Sequence, residues 1–196
     1  YDTLSIPAYG LAVEKTKIAF RLSYSLFDKI AFFINDYFKV GLPEKAVNFR
    51  SIWLERKGNP KPLNQLFADR PNWPLRGLYW LSKDFYEPDF QQVSEPDAEG
   101  LADLRNHLEH KYCQVHEDLG IGYSRFATSR NGAALGFRIG RDTLEAKTLH
   151  ILKLARAALI YLSLAVHREE TMKSEHRGDG LIASMPLMTW DERRRL

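Results

Sequence analysis

The chain predicts an all-α fold, a helical bundle of about four to six helices with a loop-rich insertion. Two observations predict it. Long segments near both ends repeat apolar residues at intervals of three and four, and no run of alternating apolar and polar residues marks a sheet. The composition agrees with a folded core: 44% of the 196 residues are hydrophobic, 12% are aromatic, and 27% are charged. One domain covering 1–196, with an insertion at about 48–100, is expected.

From Leu11 to Val40, residues Leu22, Leu26, Phe27, Ile30, Phe33, Ile34, Tyr37 and Phe38 form one broad apolar face, opposite Arg21, Lys29, Asn35 and Asp36. This helix is expected to stop at Gly41-Leu42-Pro43, with Gly41 as its C-cap. From Asn48 to Pro74, Gly58 and four prolines break the pattern into short apolar pieces, so a loop-rich stretch with one or two short helices is expected. Helical spacing returns between Leu75 and Phe85 through Leu78, Tyr79 and Leu81. Glu87 to Gly100 holds five acids and no base, as a solvated connector would. Leu101 to about Asp118 is the next expected helix. Ile121 to Arg141 holds four glycines and no acid, and reads as a basic loop with Asn131-Gly132 as the candidate tip of a hairpin. Asp142 or Thr143 then caps the last helix, which runs to about Glu170. Its middle, Ile151 to Val166, is apolar nearly all round apart from Lys153 and Arg156, which predicts a central core helix.

The charge balance, 28 basic against 25 acidic residues for a net +3, excludes a uniformly basic surface, so any nucleic-acid site must concentrate its cations locally. The single cysteine, Cys113, excludes an intrachain disulfide and a cysteine-based zinc finger, and points to a reducing, cytoplasmic setting. Ala157 to Val166 is too short for the roughly 20 residues that span a bilayer, so no membrane segment is expected. The opening at Tyr1 without an initiator Met suggests a domain excised from a longer protein.

The chemistry concentrates in Leu104-Arg105-Asn106-His107-Leu108-Glu109-His110-Lys111-Tyr112, where only Leu104 and Leu108 are core residues by type. On one helix Asn106 and His110 share a side, whereas Arg105 and His110, five apart, are separated by roughly 140°. Their convergence requires a bend, a swung arginine, or a symmetric partner chain. His107 and His110 as metal ligands lack further ligands, because His116, His150, His167 and His176 are scattered singly. No metal and no cofactor is expected. Trp53, Trp73, Trp80 and Trp190 read as core and interface residues rather than platforms for bases.

Arg105, four intervening residues and His110, with the polar Asn106 after the arginine, resemble the Arg-x(4 to 6)-His motif of the HEPN superfamily. Tyr112 adds the Arg-x4-His-x-Tyr form of HEPN toxins paired with nucleotidyltransferase antitoxins. The resemblance covers roughly Leu11 to Val40 and Leu101 to Glu170; the stretches 48–100 and 121–141 exceed it. It implies a metal-independent endoribonuclease acting as a homodimer, a toxin or effector in antiviral defence, with an antitoxin or sensor domain as further partner.

In that scheme His110 is general base or acid, Arg105 clamps the phosphate, and Asn106 orients His110 or the scissile phosphate. Arg125, Arg130, Arg138 and Arg141, interleaved with Tyr123, Phe126 and Phe137, suit a single strand of RNA, with Tyr112 lining the cleft. His107, and Asp28 as a partner for Arg105, would support the site. The alternative is a non-catalytic HEPN-like module that binds a nucleotide or dimerises, and a third reading is a purely structural helical domain.

Overall fold

Two long helices, α1 (Leu11–Tyr37) and α5 (Arg141–Arg177), run side by side and in the same direction. The computed structural model describes residues 7–55, 57–58, 61–86, 98–110, 112–117 and 137–177, with side chains for all of these except 84–86, 98–100, 102–103, 110 and 176–177. Between the long helices lie a 3-10 turn at Glu44–Ala46, α2 (Gln65–Ala68), α3 (Trp73–Tyr86), α4 (Ala98–His110) and two strands, β1 (Cys113–His116) and β2 (Phe137–Gly140). The Ala8 amide donates to the Val115 carbonyl at 2.8 Å just before α1, and β2 leads directly into α5, so both long helices start at the strand pair. Their far ends meet where the Tyr37 hydroxyl reaches Glu170 and Lys173. The helical bundle is therefore present, with a small sheet that the sequence did not announce.

Helix α1 buries a row of large side chains, Phe20, Tyr24, Phe27, Ile30, Ala31 and Ile34, which recur every three or four residues. The apolar face is narrower than its composition suggests, because Leu22 and Phe33 are exposed. The helix also ends earlier than Val40. Phe38 is its last right-handed residue, and the left-handed position falls on Lys39 (φ 55°) before Gly41 (φ 78°). Asn35 holds this turn in place: its side chain donates to the Leu42 carbonyl at 3.0 Å and accepts from the Leu42 amide at 2.9 Å.

The stretch from Asn48 onward is built into the same core. Phe49, Ile52, Trp53, Phe67, Leu75 and Leu78 are nearly or fully buried, and the rings of Phe27, Phe49, Trp53 and Phe67 form a chain with neighbouring centroids 5.1 to 6.0 Å apart. Helix α3 runs antiparallel to α5, since Asn72 donates to the Ala165 carbonyl at 2.8 Å while Gly77, further along α3, faces the Tyr161 ring.

Three expectations for the second half change. The helix from Leu101 stops at His110 instead of continuing to Asp118, because Cys113–His116 pairs in parallel with Phe137–Gly140, Cys113 opposite Phe137 and His116 opposite Gly140. A hydrogen bond to a strand far along the chain replaces the next helical turn. The candidate hairpin tip Asn131-Gly132 lies outside the described residues, and residues 137–140 form a parallel strand rather than a loop. Helix α5 is longer than expected and is not a central core helix. It buries Leu144, Thr148, Ile151, Ala155, Ala158 and Ala165, while Leu149, Leu152, Leu159, Ile160 and Leu164 are 44 to 55% exposed. Counting the whole helix rather than its uncharged run, α5 is long and apolar enough to cross a membrane by length and composition, with 22% of its apolar window buried. Its inner face is nonetheless committed to α1 and α3.

Candidate functional site

Helix α4 is anchored by Leu101 and Leu104, both fully buried, and by Leu108, which packs against the core. These positions, three and four apart, set the rotation of every other residue on the helix. Arg105, next to Leu104, turns toward α1, where its guanidinium carbon lies 5.7 Å from the centre of the Tyr24 ring. Its Nε is 3.0 Å from a Glu109 carboxylate oxygen, one helical turn on, and the arginine side chain is 31% exposed. That contact is close enough for an ion pair but is off the N–H direction, so among the described residues the buried Nε–H has no aligned acceptor. One terminal nitrogen reaches the Asn106 side-chain oxygen at a long 3.4 Å, and Asn106 itself is exposed.

His110 is the last residue of α4; the description of it stops at the backbone. The helix is continuous from Ala98 to His110, and Arg105 is drawn to the Tyr24 flank.

The supporting residues are placed as follows. His107 stacks on Phe137 of β2, ring centres 4.5 Å apart, which ties the motif helix to the strand pair. Tyr112 is 58% exposed, just past the helix, and its carbonyl accepts from the Phe137 amide at 2.9 Å. Asp28 has a different partner from the one expected: its carboxylate accepts from the Phe49 backbone amide at 3.4 Å, one turn along α1 from the Tyr24 that Arg105 covers. Asp28 thus secures the chain after α1, where a backbone donor needs an acceptor. On β1, burial and then the charge of Arg138 push the His116 imidazole below its ordinary value, so it is neutral at pH 7.

Of the four arginines expected to meet RNA, Arg125 and Arg130 lie outside the described residues. Arg138 is exposed on β2. Arg141 is not an uncompensated loop cation. It opens α5 and contacts Glu145 at 2.9 Å and Glu117 at 3.2 Å, two carboxylates that raise its pKa further and that both lie outside the acid-free 121–141 segment. Two nearby carboxylates offset much of the charge that a phosphate would feel.

A model of the LA2681-like HEPN family matches residues 1–169. The chain belongs to that family. No curated protein and no solved structure matches it. The HEPN match spans α1, the residues between it and α4, the motif helix, the strand pair and most of α5, so the stretch 48–100 lies within the family's own extent.

Two features of this HEPN domain were not singled out from its sequence. Glu109 as the partner of Arg105 was visible as an Arg-Glu spacing of four on one helix. Tyr24 had no such signal, because its pairing with α4 is a tertiary contact. The tryptophans divide: Trp53 is in the core, Trp73 at 75% and Trp80 at 50% exposure are outside it, and Trp190 lies outside the described residues. Among the described residues no three His, Cys, Asp or Glu side chains converge as metal ligands would.

Proposed function

We propose that this HEPN domain is a metal-independent endoribonuclease that works as a homodimer, a cytoplasmic toxin or effector of prokaryotic antiviral defence or of a toxin–antitoxin system. In this reading it is one module of a longer protein whose antitoxin or sensor part controls it. The observation that carries the reading is the Arg105 guanidinium: half-buried, set over Tyr24, and with an Nε–H that no described acceptor meets squarely. A cation held in place but not saturated is suited to a phosphate oxygen.

The chemistry asks for little else. The substrate's 2′-oxygen attacks phosphorus, the bond from phosphorus to the 5′-oxygen breaks, one imidazole removes the 2′ proton, and another acid delivers a proton to the leaving oxygen. His110 supplies the imidazole, Arg105 stabilises the charge that builds on phosphorus, and the exposed Asn106 orients His110 or the scissile phosphate. The products are a 2′,3′-cyclic phosphate and a 5′-hydroxyl.

Two copies answer the geometric difficulty, since positions five apart on one helix are separated by roughly 140° and two facing motifs supply each group from both sides. The exposed Leu149, Leu152, Leu159, Ile160 and Leu164 on α5, with the exposed Lys153 and Arg156 among them, support a second copy, because monomers rarely expose large apolar patches. Incubation of the purified domain with total RNA and EDTA is expected to yield cyclic-phosphate ends, abolished by Arg105→Ala and by His110→Ala. Cleavage that survives both substitutions, or intact RNA at every protein concentration, overturns the assignment. Leu152→Glu with Leu159→Glu is expected to convert a dimer to a folded monomer in sedimentation and to lower activity with it.

One observation favours a second reading, a non-catalytic HEPN module that binds a nucleotide: the Glu109 carboxylate already sits beside Arg105 and opposes a highly charged substrate. A rise in melting temperature with ATP or oligoadenylate, with RNA left intact, selects that reading.

A further inference from the structure

The outer face of α3 carries an exposed pair of indoles that the core does not explain. Trp73 and Trp80 are seven residues apart, two turns on the same side of the helix, and are 75% and 50% exposed. Two cations lie on the same side. The Arg76 guanidinium is 5.0 Å from the centre of the Trp73 ring, and the Lys83 ammonium is 5.7 Å from Trp80 and 5.4 Å from Tyr79. Between the indoles is Gly77, where a Cβ would come within 3.0 Å of the Tyr161 ring. Glycine inside a helix is destabilising relative to alanine. Here it opens a notch that lets a third, part-exposed aromatic from α5 lie against α3 midway between the other two.

We propose that this face, Trp73, Arg76, Trp80 and Lys83 with Tyr161 beside them, is a stacking platform for single-stranded RNA, separate from the Arg105 site. The proposal takes its ligand class from the ribonuclease reading. The spacing fits: seven helical residues rise about 10.5 Å, close to three stacked nucleotides at roughly 3.4 Å each. The charge fits as well. The helix sequence carries these two bases against one acid, Asp84, and each cation sits beside a ring, so a base on the indole has a partner for its phosphate within reach. A surface made for another protein's apolar side chains resembles the leucine row of α5, without cations set against its rings. Duplex RNA, whose bases are already stacked, has no use for the indoles.

The test uses a labelled single-stranded oligonucleotide with 2′-O-methyl groups, which lacks the attacking hydroxyl and survives the assay, together with its duplex. The wild-type chain is expected to bind the single strand in preference to the duplex, with quenching of tryptophan fluorescence. Trp73→Ala and Trp80→Ala should each weaken single-strand binding about tenfold, while Trp→Phe variants retain most of it. Arg76→Gln and Lys83→Gln should each reduce the salt dependence of binding by about one ion. Unchanged affinity in the folded alanine variants overturns the platform. So does unchanged affinity with a loss of self-association, which assigns the indoles to a second copy. Cleavage is measured separately: a chain that cuts RNA with its tryptophans replaced and its affinity unchanged keeps the ribonuclease reading and loses this one. A chain that never cuts, yet loses the single strand with Trp73 and Trp80, does the reverse.

Discussion

Helices α1 and α5 lie side by side in the same core and furnish it in opposite ways. Helix α1 turns its large side chains inward, Phe20, Tyr24, Phe27, Ile30 and Ile34. Helix α5 turns in Leu144 and Ile151 in its first third but small residues beyond, Ala155, Ala158 and Ala165, and leaves Leu149, Leu152, Leu159, Ile160 and Leu164 on the outside. If burial of apolar area within one chain were the only constraint, the leucines would face in, since each contributes about 1.5 to 3 kcal/mol when covered. The arrangement makes sense if α1 fills the core while α5 approaches it closely, and the leucines serve a surface beyond the single chain. The same logic separates α3, whose inner Leu75 and Leu78 are buried, from its outer tryptophans.

The contrast is most sharply broken from the α1 side. Phe27 is 1% exposed and its ring lies 5.1 Å from that of Phe49, so Phe27→Ala removes a keystone of the aromatic chain. A loss of about 3 to 5 kcal/mol is expected, read from the urea midpoint at unchanged slope. On the α5 side the damaging change is the reverse, from small to large. Ala158 is fully buried, and Ala158→Leu should cost about 1 to 3 kcal/mol by forcing α5 off its neighbours, whereas Leu159→Ala on the outer face should leave the stability of the monomer nearly unchanged. Equal costs for Ala158→Leu and Leu159→Ala would mean that the two faces of α5 are not distinct.

This division explains what was legible in the sequence. Helix α1 was readable because its polar residues mark the face that is not core. Helix α5 hid its orientation, since a segment apolar nearly all round does not say which side is covered. The end of α4 was hidden for another reason: Cys-Gln-Val-His holds one β-branched residue and becomes a strand only through pairing with Phe137–Gly140. Within the motif, the roughly 140° between positions 105 and 110 followed from helical geometry alone. What geometry could not supply were the tertiary neighbours, Tyr24 under the guanidinium, Phe137 under His107 and Phe49 opposite Asp28. Likewise Arg141 looked unpaired only because Glu117 and Glu145 fall just beyond the acid-free window.

Small side chains have a further consequence on α5. They leave its backbone within reach, and the buried Asn72 uses it. Its amide donates to the Ala165 carbonyl at 2.8 Å, while its oxygen accepts from the Leu75 amide at 3.2 Å and so caps the start of α3. Beside it, Arg70 pairs with the buried Glu169 and lies 5.2 Å over the Phe38 ring. Asn72→Ala removes the cap and an interhelical hydrogen bond together, for an expected loss of about 2 kcal/mol. Asn72→Asp keeps the cap but sets a second carboxylate against Glu169, so it should be rescued partially at low pH and not at neutral pH. Rescue at neutral pH would show that the cap alone matters.

The smallest expected effect lies at the strand pair, where both long helices begin. Burial, and then the charge of Arg138, hold the His116 imidazole below its ordinary pKa in the folded state, whereas the unfolded chain titrates near 6.5. Below that value the unfolded chain binds more protons than the folded one, so stability is full above pH 6.5 and falls as the pH drops through it. His116→Gln removes the titration and should flatten this segment of the pH profile, while Arg138→Gln should flatten it less, because burial remains the larger cause. Urea midpoints at pH 7.5 and 5.5 measure both. A variant that keeps the wild-type decline would place the acid sensitivity elsewhere, and would leave the strand pair as a joint that fixes the motif helix through His107 and Phe137 but does not respond to pH.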